Sequence, residues 1–275
     1  MFNFFKSNKK THQLNKRFWT VHELDKKDRH EMISKRLYHN IKGPEFKKHI
    51  AQHLAPQLRE LGFQGSGFNY KKTSGNYIHT IQFFGNKYGG EGWVEVGVHL
   101  DFLPDSIHEP ADLKTIKTID CIYRHSLHLE NGNQMVDYGM NEEEAEESIG
   151  LIYDMILQQG MPYFDLFQNF PSPFDQISLD DLKSNNPKFD SYQLNLSSII
   201  TALHVARIKF QMGLKEEAAA IATYGKTQVD GKRGSGLIIY FDKLINGDPS
   251  FYLNEKEKEL VQKEHEETMK SIFGK

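Results

Sequence analysis

The feature that most constrains the fold is an alternation of apolar and polar residues over positions 93–103. Its apolar positions are Val94, Val96, Val98, Leu100 and Phe102, and its polar or small positions are Glu95, Gly97, His99 and Asp101. Successive side chains of a β-strand point to opposite faces of the sheet, so this pattern predicts a strand with one buried and one polar face. Antiparallel sheets commonly have such faces, whereas parallel sheets are buried on both sides.

Turn residues predict further strands around this one. Residues 118–129 alternate in the same way, and Asn131-Gly132 follows them. This dipeptide favours a two-residue type I′ turn, so the chain should return antiparallel after it. With Ser74-Gly75 and the glycines between 85 and 92, it predicts a five-stranded antiparallel meander, with strands at 67–73, 76–85, 92–103, 118–129 and 134–140.

Two amphipathic helices flank the predicted strands. The first opens at Gly43-Pro44 and has apolar residues at helical spacing, with Pro56 expected to kink it. The second begins at a capping box, covers 142–159 and should stop at Gly160-Met161-Pro162. Packed on one face of the sheet, the two helices complete an α+β domain.

Breaks in the pattern divide the chain into three parts. Prolines and asparagines concentrate between 171 and 187, so we place a boundary near residue 175. Helices predicted at 196–212, 214–229 and 254–273 follow, and they should pack on the preceding domain because so few helices rarely stand alone. The predicted parts are a basic N-terminal arm with short helices at 1–43, the α+β domain at 44–175 and a helical region at 176–275.

Charge is unevenly distributed along the chain. Residues 1–48 hold 13 Lys and Arg against 5 Asp and Glu, whereas residues 49–275 hold 21 against 32, and the total is only −3. An acidic body repels nucleic-acid phosphates and suits a basic protein partner, so nucleic acid is an unexpected ligand. The basic arm could contact RNA, anionic lipid or the body itself.

Cysteine usage and hydropathy predict the cellular setting. The single Cys121 excludes a disulfide framework and a thiolate metal cluster within one chain. No apolar run reaches the roughly 18 residues that a membrane-spanning helix needs. We therefore expect a cytoplasmic protein without a membrane span.

Two motifs suggest cofactors but lack the structural context that cofactors need. Residues 220–227 read AIATYGKT, a loose P-loop, yet this pattern follows a helix-forming segment rather than a strand. His125 and His128 are three residues apart, so on a regular strand they point to opposite faces and cannot chelate one ion. We expect no cofactor, and keep His99, Asp101 and His128 as a minority metal hypothesis.

The polar face of the predicted sheet is the constellation most open to chemistry. If the Asn-Gly turn forms, Ser126 lies opposite Asp137, and Arg124 lies diagonal to Asp137. The same register places His128 opposite Met135. A catalytic interpretation uses a histidine as base, a carboxylate to orient it and Arg124 to bind an anion, but a solvated face with ion pairs is favoured. The candidate binding residues are Glu95, His99, Asp101, Arg124, Ser126, His128 and Asp137.

Several segments in order resemble a known family. They are LRELGF at 58–63, GSGF at 65–68, QF at 82–83, the strand at 94–100, the strand bearing Arg124, and GMPYF at 160–164. Through them, residues 50–174 resemble a bacterial family of uncharacterised proteins, domain of unknown function 4304. The resemblance implies a fold but no catalytic residues, and some relatives look like immunity or toxin-neighbourhood proteins.

Two functions from different classes stay open. The leading hypothesis is a cytoplasmic protein-binding module without catalysis, and its narrower form is an immunity-type inhibitor of a basic partner. It depends on the acidic body and on the lack of a convergent catalytic set. The alternative is an enzyme, or a protein that binds a small ligand or anion, which uses the polar face of the sheet. That alternative requires the face to be open and concave.

Overall fold

The computed structural model describes residues 39–87, 89–184, 189, 194, 198–230, 234–248 and 250–273. Most of the predicted basic arm, residues 1–38, lies outside the described residues. The chain divides into two compact units, each built from several segments. The first contains the chain up to Thr73, Ile78–Val98 and Lys117–Asp165, and the second contains Ser74–Tyr77, His99–Ile116 and Leu166–Lys275. The three predicted parts stay a prediction.

Five strands form an antiparallel meander, and a short sixth strand joins the sheet. The strands are β1 (Gln64–Ser66), β2 (Asn69–Ser74), β3 (Tyr77–Gly85), β4 (Glu91–Leu100), β5 (Tyr123–Ser126) and β6 (Val136–Asp137). Strands β1 to β5 are neighbours in chain order, and this confirms the predicted α+β class with a meander sheet. Strand β6 pairs with β4 rather than with β5.

The last predicted hairpin does not form. Strand β5 has only four residues, a 3₁₀ turn occupies Thr118–Asp120, and residues 127–135 leave the sheet before β6. The N–H of Gly132 donates to the carbonyl of Leu129 over 2.8 Å, so Asn131-Gly132 turns within this loop. The predicted pairing of 118–129 with 134–140 is wrong because β4 provides the edge for both β5 and β6.

The first helical segment of the sheet unit consists of α1 (Gly43–His49), a π-turn (Ile50–Leu54) and α2 (Ala55–Glu60). The N–H of Ala55 donates to the carbonyl of Ile50, one residue further back than in an α-helix. The next residue, Pro56, has no N–H to donate. The predicted disturbance at this proline therefore takes the form of a π-turn.

The second helical segment is longer than predicted. Helix α3 (Glu142–Met155) continues through a π-turn (Ile156–Gly160) into α4 (Met161–Asp165). The Asn141 side chain accepts from the N–H of Glu144 over 3.0 Å, which confirms the predicted N-cap. The predicted stop at Gly160 is wrong because this π-turn, like the first, ends two residues before a proline and accommodates it.

Both helical segments bury all their predicted apolar positions except Leu61, which is only partly buried. Phe46, Ile50, Leu54, Leu58, Ala145, Ile149, Ile152 and Ile156 are all at most 2% exposed. The ring of Phe164 in α4 stacks on His79 of β3 with centroids 4.6 Å apart, and lies 5.5 Å from the ring of Phe63. These aromatic contacts join the helices to the sheet and contribute much of the buried apolar area.

The second unit contains the helical C-terminal region, as predicted. Its helices are α5 (Leu179–Ser184), α6 (Ser198–Gln211), α7 (Lys215–Thr227), α8 (Ile238–Ile245) and α9 (Glu255–Phe273), with 3₁₀ turns at Phe174–Gln176 and Ser235–Leu237. Helices α5 and α8 are absent from the sequence prediction. The AIATYGKT segment lies inside α7, where a Cβ on Gly225 would overlap the Phe241 ring. This glycine permits close helix packing.

Within the described residues, no helix combines the length and the apolar character needed to cross a lipid bilayer.

Candidate functional site

The sheet face predicted to be polar is open over the first half of β4. Val94, Val96 and Val98 are at most 1% exposed and face the core, so Glu95 and Gly97 belong to the opposite face. The β4–β5 register places Glu95 beside Ser126, and Gly97 beside Arg124. The side chains of Arg124 and Glu95 are 45% and 17% exposed, and Arg124 Nη1 lies 3.9 Å from Glu95 Oε2.

An aromatic pair flanks this ion pair. The indole of Trp93 stacks on the ring of Phe84 with centroids 5.1 Å apart and planes 10° from parallel. Trp93 Nε1–H donates to Glu95 Oε1 over 3.0 Å. The Glu95 carboxylate is therefore held by a neutral donor on one side and by a cation on the other. We call Phe84, Trp93, Glu95, Arg124 and Ser126 the polar sheet face.

The same face is closed further along β4. A buried hydroxyl pair covers it, because Thr80 Oγ1 and Thr118 Oγ1 are 2.9 Å apart, and Thr80 also donates to the carbonyl of Gly97. A Cβ on Gly97 would lie 2.6 Å from Thr80 Oγ1 and 3.0 Å from Cys121 Sγ. Burial raises the pKa of the Cys121 thiol to about 12, against the opposing effect of its hydrogen bond with Thr80.

The two histidines of the β5 region have different surroundings. The His125 ring stacks on Tyr163 with centroids 5.4 Å apart, and burial, aided by the charge of His128, lowers the pKa of His125. Strand β5 ends at Ser126, so strand alternation does not extend to His128, and the two imidazole centroids lie 6.4 Å apart. Within the described part of the chain, no three His, Cys, Asp or Glu residues are arranged to hold a metal ion.

Asp137 lies apart from Arg124 and Ser126, the two residues predicted to be its cross-strand neighbours. It pairs with Glu91 across β6 and β4, and its Oδ1 accepts from the N–H of Gly139 over 2.7 Å. The predicted registers of Asp137 with Ser126 and with Arg124 are wrong, because β5 and β6 do not pair with each other. For the same reason His128 does not face Met135 across a β5–β6 ladder.

His99 and Asp101 belong to the second unit. The His99 side chain is fully buried, and its Nε2 lies 3.1 Å from the carbonyl of Leu103. Asp101 follows the end of β4, is exposed and accepts from Asn76 Nδ2 over 3.2 Å. Of the seven predicted residues, the structure brings together Glu95, Arg124 and Ser126 on one face.

A cavity that the sequence did not reveal lies between α3 and the loop of residues 127–135. It has a volume of about 260 Å³ and is lined by His128, Leu129, Glu130, Leu151, Asp154, Met155, Gln158 and Gln159. We call it the α3 cavity. The only sequence signal is that five of these residues recur at helical spacing from Leu151 to Gln159. That signal says nothing about the loop that forms the other wall.

The solvent-facing side of α3 is acidic. Glu142, Glu143, Glu146 and Glu147 are exposed in its first two turns, and we call these four the acidic helix face. Glu146 Oε1 lies 3.4 Å from His53 Nε2. Carboxylates in the first turn are stabilised by the positive end of the helix dipole, so a negative surface costs this helix little.

The second unit contains a buried cation, Arg207 of α6. It is 1% exposed, its guanidinium lies 4.8 Å from the Tyr240 ring, and it donates to the carbonyl of Phe251 over 3.2 Å. Arg207 Nη1 lies 3.3 Å from Nδ1 of His108, a residue with a positive φ of 67°. Burial lowers the pKa of Arg207 to about 10, so it stays charged at neutral pH. The sequence signal for this feature is the position of Arg207 between Ala206 and Ile208, in a helix made mostly of apolar residues.

Residues 54–166 match the family described as Domain of unknown function (DUF4304). We call residues 54–166 the DUF4304 segment. The match agrees with the resemblance predicted for residues 50–174. Neither the curated proteins nor the solved structures contain a match.

The DUF4304 segment contains the polar sheet face, the acidic helix face and the α3 cavity. It also contains the meander and the second π-turn, whereas the first π-turn, apart from Leu54, and Arg207 and helices α5 to α9 lie outside it. The family description names no reaction and no ligand, so a function for the DUF4304 segment has to be argued from these surfaces.

Proposed function

We propose that this protein is a non-catalytic protein-binding module whose partner is basic. The observation that supports the proposal is the acidic helix face: four exposed glutamates lie within two turns of one rigid helix. A surface of one sign attracts a partner of the opposite sign, speeds their encounter and disfavours partners of like charge. The same field argues against nucleic acid as the ligand.

The polar sheet face supports the same function as a second contact surface. Aromatic residues and arginine are enriched at protein interfaces, and Trp93, Phe84 and Arg124 are all partly exposed. The Trp93 indole is held in place by its stack and its hydrogen bond to Glu95, so it would lose little conformational entropy on binding.

An immunity-type inhibitor, which neutralises a basic partner by covering it, is the narrower form of this proposal. We place the protein in the bacterial cytoplasm, because a buried free thiol such as Cys121 suits a reducing compartment. The alternative of an enzyme or small-ligand protein on the polar sheet face has less support. Of its two candidate histidines, His99 belongs to the second unit and is fully buried, and His128 follows the end of β5 and lines the α3 cavity.

The proposal is tested with three matched baits. The first is the wild-type chain, the second has Glu142, Glu143, Glu146 and Glu147 changed to Gln, and the third has four exposed glutamates of α9 changed to Gln, namely Glu255, Glu259, Glu266 and Glu267. The second and third baits have the same net charge. Each is used for affinity purification at about 50 mM and at about 500 mM salt, since screening separates electrostatic from apolar binding.

We expect one basic protein to be captured by the wild-type and α9 baits at low salt, and to be lost with the α3 bait and at high salt. Purified, that protein should then bind the wild-type chain with one defined stoichiometry. Equal capture by the α3 and α9 baits, or capture that salt does not weaken, would show that the acidic helix face binds no partner.

A further inference from the structure

The α3 cavity is preformed by a side-chain clamp. Gln159 accepts from the backbone N–H of His128 over 2.9 Å and donates to the carbonyl of His128 over 2.6 Å. These two hydrogen bonds attach the loop of residues 127–135 to the π-turn that follows α3. The cavity therefore exists before a ligand arrives, and binding does not require the loss of conformational entropy that ordering the loop would cause.

The walls of the α3 cavity combine three buried apolar side chains with polar ones. Leu129, Leu151 and Met155 are 6%, 6% and 4% exposed, and all three line it. At about 260 Å³ the cavity is smaller than the roughly 300–1,000 Å³ typical of pockets for drug-sized ligands. Its size suits one side chain or a small organic ion.

Asp154 places a carboxylate beside these three apolar side chains. It is partly buried, and no residue in the described part of the chain donates a hydrogen bond to its carboxylate or forms an ion pair with it. Burial raises the pKa of Asp154, which means that the site disfavours its unpaired charge. A cation that entered the cavity would relieve this cost. Glu130, exposed on the lining, adds a second negative charge.

Buried apolar side chains beside the carboxylates of Asp154 and Glu130 complement an amphipathic cation. Lys and Arg side chains have an aliphatic stem that packs on apolar surface and a charged head that pairs with a carboxylate. We infer that the α3 cavity receives the cationic head of an arginine or lysine side chain from the basic partner. This inference rests on the proposed function and names the feature of the partner that the DUF4304 segment recognises.

The cavity is tested on the full chain by NMR titration with two probes, N-acetyl-L-arginine amide and N-acetyl-L-lysine amide. N-acetyl-L-citrulline amide, which has the shape of the arginine probe without its charge, is the neutral control. We expect one cationic probe to shift the backbone signals of Leu129, Glu130 and residues 154–159 with a dissociation constant in the millimolar range. The citrulline probe should bind about tenfold more weakly, because it cannot form the ion pair.

Two variants separate the cavity from the general negative charge of its unit. Asp154→Asn should weaken the cationic probe about tenfold, whereas Glu60→Gln removes one exposed charge of α2, outside the cavity, and should change binding less than about twofold. Glu130→Gln should have an intermediate effect. Equal binding of the citrulline probe, or unchanged binding by Asp154→Asn, would overturn the inference.

The bait experiment separates this inference from the proposed function. If a basic partner binds Asp154→Asn as tightly as wild type, and the probes shift no cavity signals, the cavity inference fails while the proposed function stands. If the probes bind through Asp154 but the baits capture no basic protein, the cavity is a site for small cations and the proposed function fails.

Discussion

Trp93 and Glu95 lie on the same face of β4, and the indole N–H donates to the carboxylate over 3.0 Å. The second partner of this carboxylate, Arg124, is further away at 3.9 Å and is 45% exposed. Solvent-exposed ion pairs contribute little to stability. A largely buried acceptor that loses its donor destabilises the folded state, because its desolvation is no longer offset by a hydrogen bond.

This difference predicts unequal effects of two substitutions. Trp93→Phe, which keeps an aromatic ring beside Phe84 but removes the indole N–H donor, should lower the free energy of unfolding by about 1 kcal/mol. Arg124→Ala should lower it by less than about 0.5 kcal/mol. Urea unfolding followed by circular dichroism measures both. A loss above about 2 kcal/mol for Arg124→Ala would mean that Arg124 is a structural residue rather than part of a binding surface.

Two glycines should respond in opposite ways to alanine. Gly150 is exposed in the interior of α3 and a Cβ there meets no atom within 4 Å, so Gly150→Ala should raise the free energy of unfolding by roughly 0.5–1 kcal/mol. Gly97→Ala should lower it by about 1–3 kcal/mol, because the new methyl group would press on Thr80 and Cys121. The same urea titration compares them. A Gly97→Ala variant that is not destabilised would contradict the packing described for β4, and a destabilised Gly150→Ala variant would contradict the open space described beside α3.

The thiol of Cys121 should be inert in the native protein. It is 1% exposed, it donates to the carbonyl of Lys117 over 3.3 Å, and its pKa is raised to about 12. A thiol-specific chromogenic disulfide at pH 8 should react at least about 100-fold more slowly with the folded chain than with the same chain in guanidinium chloride. Fast labelling without denaturant would show that the segment covering Gly97 opens readily.

Acid should destabilise the chain through His108. Burial, followed by the charge of Arg207, lowers the pKa of His108 from 6.5 to about 4, against the opposing effect of Asp105. The folded state therefore binds fewer protons than the unfolded state between these two values. The stability due to neutral His108 is fully present above pH 6.5 and is lost as pH falls to about 4, by roughly 3 kcal/mol. The pKa of the fully buried His204 is also lowered and acts in the same direction.

The measurement is chemical unfolding at several pH values from 7 to 4 for wild type and two variants. His108→Asn keeps a residue that tolerates a positive φ but removes the titration, so its stability should depend less on pH. Ile107→Ala, which changes an exposed neighbour of His108 that has no titratable group, should keep the wild-type slope. Equal slopes for all three proteins would show that His108 does not cause the acid sensitivity.

Local patterns predicted the parts of the fold that depend on local physics. The alternation around Val96 identified β4, and the capping residue Asn141 identified the start of α3, because both signals come from neighbours in the chain. Asn131-Gly132 was misleading for the opposite reason. A turn signal reports a reversal of the chain, but the partner of β6 is decided by which strand has a free edge, and that is a long-range property.

In the candidate site, too, local sequence predicted some features, whereas others depend on tertiary packing. Strand alternation places Glu95 and His99 on the same face of β4. In the structure Glu95 is partly exposed, whereas His99 is fully buried. Tertiary packing changes along a single strand, so alternation predicts a face but not its burial. The α3 cavity could not be predicted, because Asp154 comes to lie beside buried apolar side chains only when a loop with no regular structure folds against it.

The departure of residues 127–135 from the sheet has an evolutionary consequence. Because β5 and β6 are each anchored on β4, the segment between them can gain, lose or exchange residues without disturbing either ladder. That segment supplies His128, Leu129 and Glu130 to the cavity, while the opposite wall belongs to a helix fixed by the core. Relatives with the same scaffold can therefore acquire different binding preferences through changes in one surface loop, at little cost to folding.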